Sequence, residues 1–146
     1  MSDTKRAVFI VTIDRTQSLE EAIEAGRYDE VNDAVLSVNF PWKRKGIKEV
    51  ELTLVQFERP MAPGEIKKLM AARGYRSAFI EELLALGKEQ PDLQRKIPIV
   101  ALGSGRIIRR RRHATYLGGS ASSRVLGLAV IYRRWSTCYR FAFVNE

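Results

Sequence analysis

The chain holds one histidine, His113, and one cysteine, Cys138, so these are the first residues to ask for chemistry. Nucleophilic catalysis needs a base within reach of the attacking group. His113 follows four arginines, Arg109–Arg112, and their charge lowers its proton affinity, which suits a base. No serine elbow and no acidic orienting partner lie nearby in sequence, so an exposed strand residue is the simpler assignment. Cys138 precedes Tyr139 and Arg140. A neighbouring cation stabilises a thiolate, but a buried structural thiol is the commoner use of such a residue. Metal binding needs clustered Cys, His or carboxylates, and residues 101–146 carry a single acid, Glu146. Neither a metal nor a cofactor is expected. The pairs Glu20-Glu21 and Glu81-Glu82 read as first-turn carboxylates that offset a helix dipole. Gly103, Gly105 and Gly118-Gly119 lack the lysine and the strand–loop–helix context of a phosphate loop. The chain therefore does not read as an enzyme.

Binding is better supported. Residues 1–100 contain 16 Lys+Arg and 16 Asp+Glu, whereas residues 101–146 contain nine Arg, no Lys and one acid, so the net charge of +8 lies entirely in the tail. Such asymmetry signals an anionic partner. The run Arg109–Arg112 offers bidentate phosphate contacts, and Tyr116, Tyr132, Trp135 and Tyr139 offer rings for stacking. Against a nucleic-acid reading, a strand sends successive side chains to opposite faces, and no known nucleic-acid motif is present.

At 146 residues, 45% of them hydrophobic, the chain suits one domain with one core. Its apolar runs are too short to cross a membrane. The N-terminal residues do not read as a signal peptide, and a lone cysteine fits a reducing compartment, so a cytoplasmic address is expected.

The elements follow from periodicity. Ala7–Ile13 reads as a buried strand. Ser18-Leu-Glu-Glu21 is a capping box that opens a helix running to about Gly26. Residues 28–47 are irregular and include the basic turn Lys43-Arg44-Lys45-Gly46. Val50–Phe57 alternates as a half-buried strand. Pro63 starts a helix that stops before Gly74, and Phe79–Leu86 forms another, ending near Gly87. Ile97–Leu102, Arg111–Leu117, Arg124–Tyr132 and Tyr139–Val144 read as strands, with a turn at Gly118-Gly119-Ser120. The order implies an α+β fold with an antiparallel sheet.

Three stretches carry a resemblance: Gly74-Tyr-Arg-Ser-Ala-Phe-Ile-Glu-Glu-Leu-Leu-Ala-Leu86, Pro91-Asp-Leu-Gln-Arg-Lys-Ile-Pro-Ile-Val-Ala-Leu-Gly-Ser104, and Trp135 with Tyr139-Arg140-Phe141-Ala142. With Ser18-Leu-Glu-Glu and Ala25-Gly-Arg-Tyr28, they resemble a family of uncharacterised proteins abundant in bacteria of the candidate phyla radiation. The same landmarks are similar, more loosely, to C-type lectin-like domains, including the variable proteins of diversity-generating retroelements. That resemblance implies a final strand beside the first and a ligand face built from the late strands and loops. The chain departs from the family at Ser77, where proline is usual, at Phe79, where a capping threonine is usual, and at Gly105-Arg106-Ile107, near where a tryptophan is usual. Loss of the cap costs ~1 kcal/mol unless Ser77 replaces it.

The tail is also short of residues with adenine at the second codon position. Residues 1–100 hold 32 of them, and residues 101–144 hold four: His113, Tyr116, Tyr132 and Tyr139. Adenine-directed diversification produces such a bias, and so does the packing of a small β-rich segment.

The expectation is a single C-type lectin-like domain over 1–146. Residues 1–100 are the helix-containing scaffold half, and 101–146 the β-rich basic ligand-binding half. The expected function is non-catalytic display of a hypervariable face to a protein or other macromolecular, anionic ligand. The contact residues are Arg106, Ile107, Arg109, Arg111, Tyr132, Ser136, Thr137 and Tyr139, since Arg and aromatic side chains anchor such faces. The competing class is a nucleic-acid-binding module that uses Arg109–Arg112.

Overall fold

Alternating apolar side chains on long strands build a sheet that is covered on both faces. The structure, a computed structural model, describes residues 4–131 and 133–145. The order is β1 (Thr4–Asp14), α1 (Leu19–Gly26), β2 (Glu30–Val31), β3 (Ile47–Phe57), α2 (Pro63–Ala71), β4 (Tyr75–Ser77), α3 (Ile80–Glu89), a 3-10 turn at Leu93–Arg95, β5 (Ile99–Ile108), β6 (Arg111–Ser120), β7 (Ser123–Val130) and β8 (Arg140–Asn145). This is one α+β domain with three helices and an eight-stranded sheet in the order β1-β3-β8-β5-β6-β7-β2, with β4 beside β8.

One face buries Val11, Ile13, Leu52, Leu54, Ile99 and Leu117 against Leu19 of α1 and Leu83 and Leu84 of α3. The other buries Val55, Val100, Phe141 and Phe143 against Ile66 and Met70 of α2 and against Trp135. Helix α3 is buried from Ile80 through Gly87, carboxylates included. Glu81 and Glu82 therefore do more than offset a dipole. Glu81 takes Arg15 Nε at 3.1 Å, and Glu82 takes both terminal nitrogens of Arg76 at 2.9 and 2.6 Å.

Several expectations need correction. The sheet is mixed rather than antiparallel, because β5–β8 and β2–β7 pair in parallel. The final strand does not lie beside the first. It sits between β3 and β5, since the apolar residues of Phe141–Val144 need cover on both faces. Strand β1 is buried only in part, at Val11 and Ile13. It is an edge strand whose Val8 and Ile10 are 55% and 61% exposed. Strand β6 runs on through Gly118-Gly119-Ser120 and turns at Ala121-Ser122. Gly127 sits in β7 because a Cβ there would come 2.7 Å from the Tyr116 ring.

The missing cap at Phe79 is replaced, though not by Ser77. Ser104 Oγ, across the sheet, accepts the Ile80 N–H at 2.8 Å, and the Glu82 carboxylate accepts the Phe79 N–H at 2.8 Å. Gly103, beside it, donates its N–H to the Ala78 carbonyl at 3.0 Å. The Leu102-Gly-Ser104 and Phe79-Ile-Glu-Glu82 stretches are thus two halves of one helix start.

Candidate functional site

The basic residues of the tail have three different fates. Arg124 is 4% exposed and structural. Its Nη1 donates to Gly26 O at 2.5 Å and to Arg27 O at 3.4 Å, its Nη2 to Gly87 O at 2.7 Å and Gln94 Oε1 at 3.1 Å, and its Nε to Pro91 O at 2.9 Å. The Gly26 and Gly87 carbonyls lie in the last turns of α1 and α3, where intrahelical partners run out. One guanidinium thus closes two helix ends and matches both dipoles. Arg140 is half-buried in β8, with its amide on Pro98 O at 2.9 Å. The other seven arginines are exposed: Arg106, Arg109, Arg110, Arg111, Arg112, Arg133 and Arg134.

Five of these seven share one hairpin. Strands β5 and β6 pair through Arg106↔His113, Ile107↔Arg112 and Ile108↔Arg111. The turn residues Arg109 and Arg110 both have positive φ, 50° and 67°. This is the two-residue hairpin geometry that normally takes Asn-Gly. A left-handed conformation costs a branched-Cα residue ~1–2 kcal/mol. Strand β8 reaches β5 only at Ile99 and Val100, and β7 ends at Val130 opposite His113. Ile131, just past β7, still donates its N–H to Arg112 O at 2.8 Å, so the turn at Arg109-Arg110 is the part that stands beyond both neighbouring strands. Directly paired residues share a face, so Arg106, Arg111 and His113 lie on one side and Ile107 and Arg112 on the other. Arginines of both faces reach solvent, and the alternation expected to halve the patch does not do so. No acidic side chain pairs with any of these five arginines among the described residues. His113 is half-buried, and its Nδ1 donates to Arg111 O at 2.9 Å. That contact fixes the ring against the backbone rather than against a nucleophile.

The expected contact residues do not form one face. Arg106, Ile107 (67% exposed), Arg109 and Arg111 belong to the hairpin. Ser136 and Thr137 are exposed, but they sit where Gln56 Nε2 reaches Thr137 O at 2.9 Å and Met61 bridges Trp135. Registers place Gln56 and Phe57 beside the start of β8, and Arg140 of β8 lies beside Ile99, the start of β5. The hairpin tip is at the other end of β5, about 25 Å away at strand rise. Tyr139 is not a free contact residue: it is half-buried, with its ring edge-on to Trp135 at 4.8 Å. Cys138 is exposed rather than buried, 2.9 Å from Ser136 Oγ. Tyr132 lies outside the described residues.

A second basic segment shares the hairpin's end of the sheet. Strand β3 begins at Ile47, antiparallel to β8, so Ile47 and Lys48 lie at the level of the end of β8 and of the hairpin end of β5. The preceding loop brings Lys43, Arg44 and Lys45 there, all exposed. In sequence this loop is only a basic turn within a charge-balanced half. Nothing local shows which sheet end it joins. Asp14 and Glu49 are the acids nearest this end of β1 and β3, and Asp14 is held below the usual carboxylate range by the Thr16 hydroxyl and amide. At the opposite end Glu65 is held low by the Ala62 amide and, more weakly, by Arg59 and Arg134.

No described helix is long and apolar enough to cross a membrane, and no group of three metal-ligating residues occurs among the described residues. Among known proteins, the chain matches no family model, no curated protein and no solved structure.

Proposed function

We propose that the protein is a non-catalytic binding module that engages a polyanion, nucleic acid in the first instance, through the Arg106–Arg112 hairpin and the Lys43–Lys48 segment. The Arg109-Arg110 turn carries the proposal. Two arginines occupy positions that favour Asn and Gly, on a ribbon with no neighbouring strand at its tip and no acid to neutralise it. Strain that no local contact explains points to function. A two-stranded ribbon fits the major groove of B-DNA, and the guanidiniums supply phosphate contacts along it. The exposed thiol of Cys138 fits a reducing compartment, hence the cytoplasm.

The test is fluorescence anisotropy with duplex and single-stranded DNA over a salt series. The five hairpin arginines contribute about −4.5 to the log–log salt slope, to which the Lys43–Lys48 segment adds. Replacing Arg109, Arg110, Arg111 and Arg112 by Ser should reduce its magnitude by about 3.6 and leave the far-ultraviolet dichroism unchanged. A slope unaltered in that variant, or no binding at low salt, removes the proposal. A second reading, the display of a C-type lectin-like, diversified face to a protein partner, is favoured by Ile107, an exposed apolar side chain at the base of the tip. It predicts salt-insensitive binding that Ile107→Asp abolishes.

A further inference from the structure

A cavity of about 260 Å³ opens at the same end of the sheet, on the α3 side, lined among others by Arg15, Arg44, Lys48, Arg76, Glu49 and Glu82. Arg15 distinguishes it. The Arg15 side chain is 2% exposed, and its Nε donates to Glu81 Oε2 at 3.1 Å. Its Nη1 and Nη2 make no hydrogen bond among the described residues. A guanidinium carries five N–H donors; the four on Nη1 and Nη2 have no protein acceptor among the described residues, and neither nitrogen is fully buried, so both open onto the cavity. Buried charge is ordinarily matched donor by donor. Of the carboxylates nearby, one oxygen of Glu81 and both of Glu82 are engaged, Glu81 Oε1 is buried without a partner among the described residues, and Glu49 and Glu51 face the cavity. Glu81 Oε2 also takes the Lys43 amide at 3.1 Å, and Glu82 is held by both terminal nitrogens of Arg76. Four cations (Arg15, Arg44, Lys48, Arg76) and three acids (Glu49, Glu51, Glu82) line the cavity.

We propose that this cavity binds a small oxyanion, a carboxylate or phosphoryl group on a body of few atoms, with the Nη1/Nη2 fork of Arg15 as the floor and Arg44 and Lys48 at the rim. The end-on fork matches the two oxygens of such a group. The volume lies below the usual range for drug-sized ligands, so it holds only a small group. The site lies apart from the hairpin but shares Arg44 and Lys48 with the Lys43–Lys48 segment of the proposed polyanion surface.

The experiment is ¹H–¹⁵N NMR and calorimetric titration of the full chain with inorganic phosphate and, separately, malonate, at constant ionic strength set with chloride. Saturable binding should shift the Arg15 Nε–H resonance. Arg15→Lys keeps the charge beside Glu81 but lacks the fork, and should weaken binding about tenfold, the effect of losing one charge-assisted bond. Lys48→Ala, an exposed position, should weaken it severalfold without touching the core. The hairpin variant with Arg109–Arg112 replaced by Ser should bind as the parent does. Phosphate and malonate together assign the oxyanion: the tighter of the two names the group. No saturable shift with either anion overturns the proposal. So does binding that is lost in the hairpin variant and kept in Arg15→Lys and Lys48→Ala.

Discussion

Replacement of Arg124 by Met should destabilise the domain severely while leaving the exposed basic hairpin intact. Methionine keeps the aliphatic stem and removes every donor. Three of the bonds lost are short: Gly26 O at 2.5 Å, Gly87 O at 2.7 Å and Pro91 O at 2.9 Å. A hydrogen bond from a charged donor contributes ~1.5 kcal/mol at the low end of its range, so the three together give ~4–5 kcal/mol. The guanidinium also lies 4.7 Å from the centre of the Tyr28 ring, worth ~1 kcal/mol when desolvated. Relief from burying a cation with no carboxylate on its guanidinium offsets part of this, and ~4 kcal/mol is the expected net loss. Against a total stability of ~5–15 kcal/mol, that is a large share. With a urea m-value of roughly 2 kcal/mol/M for a chain of this size, the unfolding midpoint should fall by about 2 M. Arg112→Met, an exposed control, should move it by less than ~0.25 M, as surface changes do. A midpoint for Arg124→Met within ~0.5 M of the parent would refute the reasoning, because α1 and α3 would then not depend on this residue for their ends.

Other outcomes can be checked alongside. Arg109→Asn with Arg110→Gly should raise stability by ~1–2 kcal/mol by relieving two left-handed residues, and should weaken DNA binding in the anisotropy assay. Burial pushes the Tyr28 hydroxyl up from 10.0 to about 12, with Arg124 pulling the other way. A raised folded pKa means stability that is complete below pH 10 and is lost as pH rises through 12. That loss is on the order of 2 kcal/mol at 1.36 per unit and should be absent in Tyr28→Phe, measured by urea midpoints from pH 9 to 12. Gly87→Ala should cost stability by thermal melting, because a Cβ there would come 2.2 Å from Tyr28 Oη. If the tail is diversified, paralogues from one genome should vary at Arg106–Arg112 and keep Arg124 and Trp135. A reverse transcriptase and a near-copy of the tail's DNA, differing at adenines, should then lie beside the gene; their absence ends that idea.

Local signals carried most of the element boundaries. Ser18 and Glu21 form the capping box seen in sequence, with Ser18 Oγ taking the Glu21 amide at 3.0 Å and Glu21 Oε1 the Ser18 amide at 2.7 Å. Pro63 opens α2, and Phe141 and Phe143 share a face. What failed was non-local. Period-two patterning shows that Ala7–Ile13 is a strand but not that it is an edge, because that depends on which strand ends beside it. β4 has three residues and is made by its pairing with β8, so no local pattern announces it. The site residues split for the same reason. Arg106 and Ser136 belong to the same tail, yet β5 runs from Ile99, beside Arg140, to the hairpin, which puts them at opposite ends of the sheet. Arg124 was legible only as one more positive charge. Its burial is set by two helix ends about a hundred and about forty residues upstream, at separations of 98 and 37.

The composition of the tail weighs differently once its strands are placed. β5, β6 and β8 occupy the middle of the sheet, and Val100, Ala101, Leu102, Ala114, Thr115, Leu117, Phe141 and Ala142 are buried. A central strand has no room for Lys, Asp or Glu, so packing alone depletes those residues. The same argument removes Arg124 and Arg140 from any count of binding residues. It does not reach the hairpin. At Arg109 and Arg110 neither packing nor turn chemistry favours arginine, and local rules that a fold breaks without a packing gain are expected at functional sites. The number of arginines in the tail is thus weak support for an anionic partner. Two of them in a turn built for Asn-Gly, flanked by three more and facing no acid, are much stronger support.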